Sequence, residues 1–166
     1  MSNAIYTVPK ASNEPVYDYA PGTPERKALK EALKKLRSQQ KDIPMIIGGK
    51  EVRTDNKRII SPPHDIHHKI GVFSKGDKSH VEMAIQAALE AKEEWEKMPW
   101  QERAVIFLKA AELIAGPYRA EFNATTMLCQ SKNAYQSEID SICELVDFYR
   151  FNVKFMTDIY KQQPMS

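Results

Sequence analysis

The feature that most limits how this chain can fold is its last helical stretch, about residues 133–161. Ile139, Ile142, Cys143, Val146, Val153 and Met156 mark one face of it, and Leu145, Phe148, Phe151 and Phe155 mark another. A helix that is apolar on more than one side has to be buried on more than one side. Three helices read upstream of it can cover one face. The second face calls for a partner that these residues do not supply, and the text runs out through Gln163, Pro164, Met165 and Ser166 without a terminating element of its own. Two kinds of protein fit this pattern: a fragment whose second face meets a further domain, and a free-standing helical module that holds a protein partner there.

The upstream elements follow from local rules. Residues 1–22 carry Pro9, Pro15, Pro21 and Gly22 among tyrosines and polar groups, so they read as an extended arm, ordered only if it lies on something. Thr23 before Pro24 predicts a helix start, with Ala28, Leu29, Ala32, Leu33 and Leu36 on one face and an end near Gln40. Gly48 and Gly49 between short apolar runs in residues 43–52 predict a hairpin turn. Further short strands are expected at residues 58–61 and 69–73, with Pro62 and Pro63 forcing an extended loop between them. Ser79 with Glu82 reads as a capping box opening a helix that carries Val81, Ala84, Ile85, Ala88 and Trp95 and ends at Pro99. A second helix, beginning near Gln101, is stopped by Gly116 and Pro117, and a shorter one covers about residues 118–129.

Charge and composition exclude several classes. The 166 residues carry 24 basic and 22 acidic side chains, net +2, which gives no one-signed field to draw the protein onto nucleic acid. No run approaches the roughly 18 apolar residues needed to span a bilayer, and the first ten residues lack the apolar core of a signal peptide. Two cysteines without CxxC spacing fit a reducing compartment.

The groups able to do chemistry are few. His64, His67 and His68 with Asp65 match no zinc spacing and read as a polar surface loop, so no metal site is expected. Gly48-Gly49 is the only glycine pair, and no glycine-rich phosphate cradle occurs in the 166 residues. Cys129 and Cys143 each fall in an apolar helical stripe, where desolvation raises a thiol's pKa, so neither is expected to be a nucleophile. Glu144 and Asp147 stand out because they sit among Ile142, Leu145, Val146 and Phe148. Such carboxylates need partners: an ion pair with Arg150 or Lys154, which periodicity favours, or a ligand.

Taken together, PGTPERKALKEALKKL, IPMIIGGKEV, AIQAALEAKEEW, ERAVIFLKAAELIAGPYRAEF and QSEIDSICELVDFYRFNVKF resemble the opening of an aldehyde dehydrogenase, from about Asn13 to Pro164. The I-G-G-x-x-V, A-x-x-A-x-x-x-W and E-R-x-x-x-L-x-K-A-A-x-L patterns are similar to the superfamily in general. FLKAAELIAGPYRAE with ELVDFYRFN resembles the 1-pyrroline-5-carboxylate (L-glutamate γ-semialdehyde) branch in particular. The resemblance implies a mainly α fold with a small β hairpin and short strands, the N-terminal helical layer of an α/β fold without its Rossmann-like nucleotide core. On that reading residues 1–22 are the arm. Residues 23–166 are an incomplete N-terminal segment of the cofactor-binding domain, with hairpin and strands at about 43–73 and helices at about 79–161.

The implied activity of the parent enzyme is NAD-dependent oxidation of the semialdehyde to glutamate in proline breakdown. A cysteine thiolate attacks the aldehyde, hydride passes to NAD, and water releases the acid. The resemblance also implies a homo-oligomer, located in the cytoplasm or, in a eukaryote, in the mitochondrial matrix. The family's catalytic cysteine, general base, oxyanion asparagine and nucleotide fold match nothing in these residues, so the chain alone is expected to bind no NAD and to be inactive. One family position does match: Glu144, in E-L-V-D-F, corresponds to a glutamate beside the semialdehyde pocket.

Overall fold

The computed structural model describes residues 6–162; the first five residues of the arm and the Gln163–Ser166 tail lie outside them. Helix α1 (Pro24–Arg37) opens on Thr23, whose hydroxyl accepts from the Arg26 amide, and closes on Ser38, three residues after Lys35 and short of the expected Gln40. The β region contains strands β1 (Lys41–Ile43), β2 (Met45–Ile47), β3 (Lys50–Val52), β4 (Lys57–Ile60) and β5 (Gly71–Ser74). The hairpin joins β2 to β3, with φ of 57° at Gly48 and 74° at Gly49, the left-handed pair that a two-residue turn requires. One strand went unread in the sequence. Pro44 separates Lys41–Ile43 from the hairpin, and β1 instead lies parallel to β5, which also pairs antiparallel with β4.

Helix α2 (Lys78–Lys97) corrects the expected cap. Its N-cap is Asp77, whose carboxylate accepts from the amides of Ser79 and His80, while the His80 ring faces the Asp77 amide. Ser79 sits one position inside the helix and donates its hydroxyl to Asp77 at 2.6 Å. A carboxylate both satisfies free amides and meets the positive end of the helix dipole, so it takes the cap from the serine. Helices α3 (Trp100–Ala115) and α4 (Arg119–Gln130) fall where Pro99, Gly116 and Pro117 place them.

The long terminal rod is helical throughout but not uniform. It runs as α5 (Ala134–Ser137), a π turn (Glu138–Cys143) and α6 (Glu144–Gln162). In the π turn the Glu144 amide donates to the Ile139 carbonyl, five residues back. Glu138 and Cys143, five apart, would diverge by about 140° on a regular α-helix, yet both are buried. The π turn therefore keeps one inward face across the junction.

Two small cores hold these elements. Ala111 and Ile114 of α3 pack on Ile142 and Val146 of the rod. Tyr19 of the arm packs with Leu29 of α1 and Ala124 of α4. Around them the apolar cover is incomplete. Val81, Ile85 and Leu89 of α2 are each more than half exposed, as are Phe148, Phe155 and Ile159 of α6, and α2 buries no residue at all. A self-contained globular protein of 19.0 kDa exposes roughly 8,400 Å² by the usual mass scaling. This chain exposes 12006 Å². No helix among the described residues is long and apolar enough to cross a membrane.

Candidate functional site

Glu144 begins α6, and Asp147, Phe148, Phe151, Asn152 and Phe155 follow it at helical spacing, so the six share one stripe. They line a shallow, open depression of about 380 Å³. Phe151 and Phe155 form its apolar floor, with ring centroids 6.2 Å apart. Glu144 is exposed at its rim, which corrects the expectation of a carboxylate submerged among apolar neighbours. The π turn rotates Ile142, Cys143 and Val146 inward and leaves Glu144 facing outward. The expected ion pairs are also corrected. Arg150 pairs with Glu14 at 2.8 Å and Lys154 with Asp158 at 2.5 Å. Asp147 accepts from Asn13 Nδ2 at 2.6 Å and from the Glu14 amide at 2.7 Å.

The buried charges lie elsewhere, at a cluster that the sequence reading passed over. Arg119 of α4 binds Glu138 through Nε and Nη2 and Glu14 Oε1 through Nη1 at 2.5 Å, with the guanidinium 3.9 Å from the Tyr17 ring centroid. Glu138 also accepts from the Tyr17 amide (3.0 Å), the Tyr19 hydroxyl (2.6 Å) and Asn123 Nδ2 (2.9 Å). With Arg150, the cluster holds two carboxylates and two guanidiniums, so its charges balance.

Burial works against ionisation of Glu138, but the bonds from Arg119, Tyr19, Tyr17 and Asn123 outweigh it and hold the carboxyl below the usual glutamate range. Burial also opposes the charge on Arg119, and Glu138 and Glu14 overcome it, so the guanidinium stays protonated more firmly than usual. Burial and then Glu138 push the Tyr19 phenol above the ordinary tyrosine range. Every group is engaged by another, so the cluster docks the arm and has no free acid or base for chemistry. A signal for Glu138 was present: it stands four residues before Ile142 and eight before Val146, on the same inward face. Reading polarity as exposure hid it.

The other candidates resolve into structural parts. His64 Nδ1 lies 2.8 Å from Ser131 Oγ and His68 Nε2 lies 2.9 Å from the Arg37 carbonyl, so these rings pin the Pro62–Pro63 loop to the ends of α4 and α1. Cys143 is buried, and burial followed by the Glu138 charge pushes its thiol up to about 11. Cys129 is exposed, contrary to the core position expected for it, though partial burial still raises its pKa. It lines a cleft of about 310 Å³ together with Leu36, Ile43, Ile60 and Leu128.

The helical layer, the Gly48-Gly49 hairpin and the short strands can be set beside known proteins. The aldehyde dehydrogenase family model matches residues 51–166. The chain belongs to the aldehyde dehydrogenase family. Among individual proteins, it is 48% identical over 162 residues to the Delta-1-pyrroline-5-carboxylate dehydrogenase of Agaricus bisporus, covering 97% of this chain and 30% of that one. It is 45% identical to the mitochondrial Delta-1-pyrroline-5-carboxylate dehydrogenase of Homo sapiens, covering 95% of this chain and 28% of that one. Its fold matches the crystal structure of the Mycobacterium tuberculosis Delta-pyrroline-5-carboxylate dehydrogenase bound with NAD at a TM-score of 0.96 and 44% identity, covering 99% of this chain and 31% of that one. The chain thus spans less than a third of the length of these relatives.

Proposed function

We propose that these 166 residues are the N-terminal portion of an NAD-dependent dehydrogenase that oxidises L-glutamate γ-semialdehyde, the open form of 1-pyrroline-5-carboxylate, to glutamate. The observation that carries this reading is the TM-score of 0.96 at 44% identity along almost the whole chain. The 12006 Å² of accessible surface supports it further, because the excess includes the apolar faces of α2 and α6, where a second structural layer fits. In this reading residues 23–166 are part of the cofactor-binding domain, and the Rossmann-like core, the thiolate nucleophile and the NAD site lie outside these residues. NAD would act as hydride acceptor in the parent enzyme. This chain's contribution is the helical layer and one wall of the substrate site, with Glu144 at its rim. A homo-oligomer in the cytoplasm, or in the mitochondrial matrix of a eukaryote, accompanies the assignment.

The test is to express the continuous reading frame through and beyond Ser166 and to follow NAD reduction with the semialdehyde and with propanal. Strong preference for the semialdehyde is the expected result. A longer protein that reduces NAD with propanal and ignores the semialdehyde sinks the substrate assignment. The 166-residue chain alone is expected to show no saturable calorimetric response to NAD, because none of its turns offers a glycine-rich phosphate cradle.

A further inference from the structure

The arm does more than cover the helices: it grips the same stretch of α6 that carries the Glu144 face. Asp147, one turn after Glu144 and a wall of the same depression, is held by Asn13 and the Glu14 amide. Arg150, the next turn, is held by Glu14 Oε2 at 2.8 Å and the Ser12 carbonyl at 3.5 Å. Phe151 lines both the Glu144 depression and an open cleft of about 530 Å³ that arm residues 6–11 also line. Glu14 is in turn anchored on buried Arg119. A chain of contacts therefore runs from the buried cluster through residues 12–14 to the wall of the depression.

We infer that Asn13 is a positioning residue for the substrate-side face of α6, acting through Asp147. The inference rests on the functional reading above, in which that face borders the semialdehyde site. Asp147 offers only acceptors when ionised. With its carboxylate turned toward the arm, the opening near Glu144 is left for the polar end of a substrate. Released, Asp147 swings a second carboxylate beside Glu144, where it acts on the ammonium and carboxylate of an α-amino-acid aldehyde and misplaces that charged end, so the effect falls on the zwitterionic semialdehyde and not on an uncharged aldehyde.

The experiment uses Asn13→Asp, which sets like charges against each other, and the double variant Asn13→Asp/Asp147→Asn, which restores the bond with its polarity reversed. In the extended protein, Asn13→Asp is expected to raise KM for the semialdehyde roughly three- to tenfold, the worth of about one hydrogen bond. KM for propanal, KM for NAD, kcat and Tm should change little, and the double variant should recover the semialdehyde KM. A purely structural arm would move Tm, or all substrates together. In parallel, amide hydrogen exchange on the 166-residue chain should speed up at Glu14 and at residues 144–148 in Asn13→Asp and return in the double variant. Unchanged KM with accelerated exchange at Glu14 overturns the inference. If the wild-type extended protein ignores the semialdehyde, the substrate assignment falls, and unchanged exchange at residues 144–148 then overturns the positioning role as well.

Discussion

Arg119 and Glu138 meet between α4 and the π turn with side chains 7% and 0% exposed, and both Nε and Nη2 of the guanidinium are directed at the same carboxylate oxygen, Oε1. Around this pair the arm, α4 and the long rod are fastened together. A buried pair with its remaining hydrogen-bond sites filled adds little over apolar packing, whereas removing one partner strands the other.

Arg119→Met should therefore be far more damaging than its similar length suggests, because Glu138 would be left buried without a countercharge and Glu14 would keep only Arg150. The expected loss is about 3–5 kcal/mol of unfolding free energy, read from urea unfolding of the chain. A loss under about 1 kcal/mol, the range of exposed pairs, would show that water reaches the cluster.

Stability should fall at both ends of the pH scale. The folded Glu138 carboxyl titrates below its ordinary value of 4.5, so its contribution is complete above that value and is lost as pH falls through the lower folded pKa. The Cys143 thiol is pushed from 9.0 up to about 11. Its contribution is complete below pH 9.0 and is lost as pH rises from there through about 11, since only the unfolded thiol ionises in that window. Melting temperatures measured against pH should show a shallower alkaline decline in Cys143→Ala, with the decline that remains coming partly from Tyr19, which is raised in the same sense. An identical alkaline slope in the variant would remove Cys143 from this account.

The isolated chain should self-associate. Phe148, Phe155 and Ile159 on α6 and Val81, Ile85 and Leu89 on α2 are exposed in stripes, and contiguous apolar patches seek cover. Sedimentation at about tens of micromolar, where modest interfaces assemble, should show species above the monomer, and Phe148→Lys with Phe155→Glu should reduce them. A clean monomer at that concentration would count against the reading that a further layer belongs on these faces.

Glu144→Ala should separate substrate handling from folding. Glu144 is exposed and neither Arg150 nor Lys154 pairs with it, so its removal should leave stability within about 0.5 kcal/mol, as at other surface positions. In the extended protein kcat/KM for the semialdehyde should drop more than that for propanal. Equal values for both substrates in variant and wild type would leave Glu144 without a role at the site.

The sequence by itself was enough for whatever depends on near neighbours. Thr23-Pro24, Gly48-Gly49, Pro62-Pro63, Pro99 and Gly116-Pro117 set element boundaries because caps, left-handed turns and missing amide protons act within a few residues. The two-faced last helix announced that a partner surface was needed, since helical period alone sorts its apolar residues into stripes. What required the tertiary structure was every choice among distant partners. Arg150 found Glu14, 136 residues away along the chain, in preference to a carboxylate on its own helix. Glu138 turned inward because Arg119, Tyr19 and Asn123 converge there to balance its charge. The π turn that brings Cys143 onto the same buried face as Glu138 has no local signature, because an inserted turn is stabilised by what both halves of the helix pack against. Helical period places side chains around an axis; only the packed neighbours decide which of those directions is the interior.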